Sequence, residues 1–116
     1  MSRISIVELE VFYCVGVTEE ERSKPQRLLI SVDMASDFTA AVMSDRVEKT
    51  INYFDVAQEI LKYGDGRSWK LLERLATNLA DVILTKFKPQ EVAVEVKKFV
   101  IPQAKFVAVS LTRSRG

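Results

Sequence analysis

A chain of 116 residues with 47% hydrophobic content can bury one core and not two, so a single domain over residues 1–116 is expected. Its 17 Lys and Arg against 16 Asp and Glu leave a formal charge of +1, which excludes the basic footprint of a nucleic-acid binder. With no histidine and one cysteine, Cys14, the chain lacks the usual transition-metal ligands, and any acid–base chemistry falls to carboxylates, lysine and tyrosine.

Residues 3–15 alternate with period two, which predicts a half-buried strand carrying Val7, Leu9, Val11 and Tyr13 on one face and Glu8 and Glu10 on the other. Residues 16–26 hold Val17 and otherwise polar or charged groups, including Glu19, Glu20 and Glu21, and read as an exposed connection. Alternation returns over 27–38, with Leu28, Ile30, Val32 and Met34 opposed to Leu29, Ser31 and Asp33, so two long antiparallel strands open the fold. Residues 37–49 suggest a short helical turn and a loop. From Tyr53 the period becomes helical through Val56, Ile60 and Tyr63, and Gly64-Asp65-Gly66 ends the element. Ser68 is then the expected cap of a longer helix with the stripe Leu72, Leu75, Leu79, Val82 and Ile83, closed by Pro89. Val92, Val94 and Val96, then Val107, Val109 and Leu111, predict a final hairpin across an irregular Ile101-Pro102-Gln103 link.

The order ββααββ predicts an α+β fold, a four-stranded antiparallel sheet with two helices on one face. Glu8, Glu10, Ser31, Asp33, Glu95, Lys97 and Ser110 would line the other face, which suits water or a polar interior made by closing several subunits into a ring. The apolar runs are too short for a membrane span, and no signal-peptide pattern or internal disulfide is available. A cytoplasmic location without membrane or nucleic-acid partners is therefore expected. No Gly-rich phosphate cradle or Asp-rich calcium loop is present, so no cofactor and no metal are expected.

Three residues could carry chemistry. Lys98 keeps the parity of Val92, Val94 and Val96, which puts its ammonium at the end of the covered face, either as a partly desolvated proton carrier or snorkelling to water. Lys97, of opposite parity, is expected in solvent. Glu73 lies at the start of the second helix, where a carboxylate favours the helix dipole and could also accept a paired donor edge such as a guanidine-like ring fragment. Tyr53, at the entry to the first helix, is either a core-edge residue or a proton donor. The Glu19-Glu20-Glu21 run reads as a solvated loop, and Cys14 as a buried strand residue.

Four segments in order, Gly16-Val17 through Glu21 to Gln26, Thr50-Ile51-Asn52-Tyr53 with Val56, Leu71-Leu72-Glu73-Arg74-Leu75-Ala76, and Val94-Glu95-Val96-Lys97-Lys98, resemble the dihydroneopterin aldolase family from about Ile4 to Leu111. The resemblance implies a tunnelling fold (T-fold), in which four subunits close their sheets into a barrel and two rings stack, giving a homo-oligomer, tetramer or octamer, with sites at subunit boundaries. It implies a pterin substrate held by Glu73, Leu72 and Ile51, and a catalytic set of Glu21, Tyr53 and Lys98, with Tyr53 supplied by the neighbouring chain. The implied reaction is a metal-free retro-aldol cleavage of dihydroneopterin to 6-hydroxymethyl-dihydropterin and glycolaldehyde in folate biosynthesis. The Gly16–Glu21 run and the Phe99–Gln103 link are also similar to the sister branch, the dihydroneopterin triphosphate epimerases. The same residues would serve an epimerase, an aldolase on a variant pterin, or a non-catalytic pterin-binding subunit.

Overall fold

The computed structural model describes residues 1–115. Two long antiparallel strands, β1 (Ser2–Val15) and β2 (Gln26–Ser36), are joined through the one-turn helix α1 (Glu19–Arg22). The short helix α2 (Thr39–Ser44) and a 3-10 turn (Val47–Lys49) lead to α3 (Tyr53–Tyr63). A two-residue strand β3 (Ser68–Trp69) precedes α4 (Leu72–Phe87), and β4 (Glu91–Lys98) and β5 (Val107–Ser114) form the closing hairpin. The sheet order is β3-β1-β2-β4-β5, antiparallel except for the β1–β3 pair. The expected four strands thus gain a short fifth one at the edge.

Helices α3 and α4 cover one face of the sheet. Val56 and Ile60 from α3, and Leu75, Leu79 and Ile83 from α4, pack in one cluster with Val11, Leu28, Ile30, Val32, Val92, Val94 and Val96. Each fully buried aliphatic of this kind stabilises the fold by about 1.5–3 kcal/mol. The opposite face carries the predicted polar groups in register, with Ser31 beside Glu95 and Glu95 beside Ser110. They are cross-linked by side chains: Arg3 bonds Asp33 at 3.0 Å, and Arg27 bonds Glu10 at 2.7 Å.

Four expectations are corrected. The alternation of β1 breaks at a bulge between Ile6 and Leu9, where Glu8 takes a φ of 56° and its N–H donates to Ser31 Oγ at 2.9 Å. An inserted residue reverses parity. Ile4 and Ile6 therefore face the core before the bulge, Leu9, Val11 and Tyr13 after it, and Val7 is 73% exposed. Ser68 is not a helix cap, because it pairs with Cys14 in the β-ladder; α4 starts at Leu72 without a side-chain cap. Cys14 is half-buried rather than core, since it follows the parity of the exposed Glu10 and Phe12.

Lys97 lies on the polar face as expected, but it is covered rather than solvated. Its side chain is only 16% exposed, bonded to Glu8 at 2.7 Å, with the ammonium 4.5 Å from the centre of the Phe106 ring. The bond to Lys97 holds the Glu8 carboxyl below its usual range, and the same bond raises the Lys97 ammonium above its own.

Candidate active site

The ends of β1 and β4, the start of β2, and β3 meet at one end of the sheet. Lys98 is the last residue of β4, opposite Leu28, and its valine parity turns it toward the helix-covered side. It is the only buried charged residue among the described residues, with its side chain 10% exposed. An unpaired charge at such burial is costly, and Lys98 meets Glu21 Oε2 at 3.3 Å. The run read as a solvated connection thus supplies the counter-ion.

The geometry of Glu21 follows from local sequence. Thr18 caps α1 as a capping box: the Glu21 N–H donates to Thr18 Oγ1 at 3.2 Å, and the Thr18 N–H and hydroxyl reach Glu21 Oε1 at 3.4 Å. This leaves the other oxygen for Lys98. The backbone N–H of Thr18, then the bond and charge of Lys98, hold the Glu21 carboxyl below the ordinary carboxylate range, so it is charged at neutral pH. Gly16 makes room for it: a Cβ there would lie 2.3 Å from Glu21 Cβ and 3.0 Å from Oε2.

Leu72 and Glu73 open α4 at this same end, because α4 follows β3 directly and β3 pairs with the end of β1. Leu72 is half-buried and Glu73 is exposed in the first turn, where it lines a groove of about 270 Å³ with Arg74, Thr77 and Asn78. An adjoining groove of about 340 Å³ is walled by Trp69, Lys70, Leu71 and Arg74. Trp69 is braced from below: it stacks between Tyr13 and Tyr63, with ring centres 5.5 and 5.8 Å away, and donates from Nε1 to Asn78 at 3.0 Å. Burial pushes the Tyr13 phenol above its usual range, and its hydroxyl donates to the Ile60 carbonyl. Tyr13 is therefore structural, a role that its strand parity alone foreshadowed.

Ile51 and Tyr53 lie elsewhere. The last turn of α3 abuts Tyr13, through Ile60 and Gly64, so its first residue is at the far end of the molecule. Eleven residues of helix put Tyr53 about 15 Å along the axis from Tyr63. Ile51 is buried in the core just before the helix, and Tyr53 is 64% exposed. A cleft of about 560 Å³ is at that end, between Arg3, Ile4, Phe38, Val42, Val47 and Thr50. None of these lining groups has the buried-charge chemistry of the Lys98 end. Within one chain, the structure brings Glu21 and Lys98 into contact, opens α4 with Leu72 and Glu73 from the strand that pairs with the end of β1, and leaves Ile51 and Tyr53 apart.

Sequence reasoning missed Thr18, Arg22 and Gln26, the residues that shape α1. The Thr18-x-x-Glu21 spacing was the available signal.

Known proteins resemble this chain over nearly its whole length. The family model described as FolB, dihydroneopterin aldolase, matches residues 4–112. The dihydroneopterin aldolase of Haemophilus influenzae is 32% identical over 114 residues, covering 97% of this chain and 97% of that protein. The crystal structure of FolB from Vibrio cholerae superposes with a TM-score of 0.93 at 34% identity, covering 99% of this chain and 98% of that one. The Escherichia coli dihydroneopterin aldolase, solved in complex with neopterin, gives 0.92 at 29% identity over 98% of this chain and all of its own (100%). With the family model and these relatives spanning nearly the whole length, from the capped α1 to the hairpin that carries Lys98, the chain belongs to the dihydroneopterin aldolase family.

Proposed function

We propose that this protein is a dihydroneopterin aldolase, a lyase that cleaves dihydroneopterin to 6-hydroxymethyl-dihydropterin and glycolaldehyde in folate biosynthesis, and that residues 1–116 act as a single domain of that type. The observation that carries this reading is the buried Lys98 ammonium bonded to a capped Glu21 carboxylate, at the sheet end where Glu73 opens α4. The neopterin-bound Escherichia coli relative supports a pterin as the ligand.

In this reading the Glu73 carboxylate accepts the paired N–H edge of the pterin ring, beside Leu72. Lys98, with Glu21 and water, manages the protons: the Lys98 ammonium donates to the ring nitrogen, and the Glu21 carboxylate, through water, accepts the proton of the side-chain hydroxyl. The conjugated ring receives the electron pair as the carbon–carbon bond breaks, so no Schiff base is needed. The ion pair sets a proton donor, the Lys98 ammonium, beside a proton acceptor, the Glu21 carboxylate.

Tyr53 protonates the enol intermediate, and Ile51 helps hold the ring. Both come from a neighbouring copy, because Tyr53 opens α3 about 15 Å along the helix from Tyr63, the end that abuts Tyr13, and Ile51 precedes it. A homo-oligomer, tetramer or octamer, with sites at its boundaries follows from this. The open edges of β1 and β5 and the exposed Val42, Met43, Tyr53 and Phe54 suit such contacts. Among the described residues no helix is long and apolar enough to cross a membrane.

The direct test is incubation of the purified protein with dihydroneopterin, followed by chromatography. Appearance of hydroxymethyl-dihydropterin with equimolar glycolaldehyde is expected, and an unchanged substrate contradicts the reading.

A further inference from the structure

Glu21 stands on a helix that buries no side chain. A segment without apolar anchorage belongs to the low-stability end of a fold's local openings. Yet α1 must hold a carboxylate against Lys98, so polar ties have to do the holding. The capping box with Thr18 is internal to the turn and shapes α1 without fastening it to the sheet.

Two side chains do fasten it. Gln26, at the start of β2, donates from Nε2 to the carbonyls of Val15 at 2.5 Å and Glu21 at 3.0 Å. Arg22 donates from Nη1 to the carbonyls of Gly16 and Val17, both at 2.8 Å. The choice made by Arg22 is informative. Three glutamates immediately precede it, and among the described residues its guanidinium forms an ion pair with none of them. Its donors go instead to the loop on which Glu21 leans. Gly16 is in contact with the Glu21 side chain, and its N–H donates to the Trp69 carbonyl at 2.9 Å, which ties it to the edge strand.

We infer that Arg22 is a positioning residue of this site, which holds α1 closed through the Gly16 and Val17 carbonyls and so keeps Glu21 at Lys98. It is assigned no contact with substrate. The inference rests on the reading of Glu21 and Lys98 as the proton-handling pair. Lys98, from β4, is the only charged group bonded to Glu21 among the described residues, and Thr18 adds its N–H and hydroxyl.

Arg22→Met keeps length and removes the donors, and Arg22→Lys restores a cationic donor. On dihydroneopterin, Arg22→Met is expected to lower kcat about tenfold with KM within about twofold of the parent, and Arg22→Lys to recover part of the loss. In a Glu21→Gln background the same Met substitution should cost nothing more, because the group it positions is already gone. Equal losses in both backgrounds would reveal general destabilisation and overturn the inference; so would parental turnover by Arg22→Met.

A readout without substrate separates this from the functional reading. In a carbon-13 NMR titration, the Glu21 carboxyl should titrate below its ordinary value of 4.5 in the parent and closer to it in Arg22→Met. A parent inert toward dihydroneopterin sinks the functional reading, whereas a Glu21 titration unmoved by Arg22→Met sinks the clamp.

Discussion

The two ends of this molecule differ in how finished they are. At one end a buried ammonium, a capped carboxylate, a glycine that makes room for it and a stacked tryptophan are already in place within a single chain. At the other, Tyr53 is exposed, and the cleft of about 560 Å³ that Arg3, Phe38 and Thr50 help to line holds no buried charged group among the described residues. Preorganised groups are what a proton-transfer site needs, because they cost no reorganisation when charge moves. On the proposed function, the difference means that one chain carries the acid–base half of the site, and presents its phenol to a neighbouring copy.

The largest expected effect comes from the finished end. Lys98→Ala removes the proton carrier and should reduce kcat by about 10²–10⁴-fold, the usual worth of a positioned acid–base group, while leaving pterin affinity largely intact. Steady-state turnover and equilibrium titration with neopterin read the two quantities. Equal loss of both would mean that Lys98 binds rather than reacts.

Glu73→Ala should invert that pattern. Loss of a charge-assisted acceptor is expected to weaken neopterin binding about tenfold or more, with a smaller change in kcat. Calorimetry checks the affinity, and unaltered binding would remove Glu73 from the site.

A smaller effect concerns stability against acid. The folded Glu21 carboxyl titrates below its ordinary 4.5, so its contribution is present above that value and lost as pH falls through the lower, folded value. Glu21→Gln should therefore lower Tm relative to the parent at pH 7, and the two proteins should converge as the pH falls through the lower, folded value. A constant difference across that range would mean that the lost contacts are not ionic.

Much of the finished end was legible in sequence because it rests on strand parity. Val92, Val94, Val96 and Lys98 alternate without interruption, and β4 follows that alternation in every residue. The same rule misplaced Val7, since a bulge leaves no mark in the hydrophobic pattern until its ladder partners are known. Ser68 was a plausible cap by type, but backbone pairing to Cys14 claimed it. The Glu19–Arg22 turn was hidden by its composition: charged residues read as solvent-exposed, whereas Thr18 and Gly16 turn one of them inward. Lys97 and Lys98 show the limit most clearly. Parity assigned their faces correctly, but only the fold brings Glu8 and Phe106 over the first and Glu21 to the second. Long-range partners of side chains do not follow from local period.

The central claim, that one chain's Lys98 works with another chain's Tyr53, is tested most directly by subunit mixing. Lys98→Ala and Tyr53→Phe are prepared separately, each nearly inactive, then unfolded and refolded together in equal amounts. Random assortment of chains in a ring leaves both groups intact in roughly a quarter of the boundary sites. Recovery of about that share of parental activity is the predicted result. If refolded mixtures assemble like the parent yet stay as inactive as the separate variants, Tyr53 and Lys98 serve in the same chain and the account of a shared site is wrong.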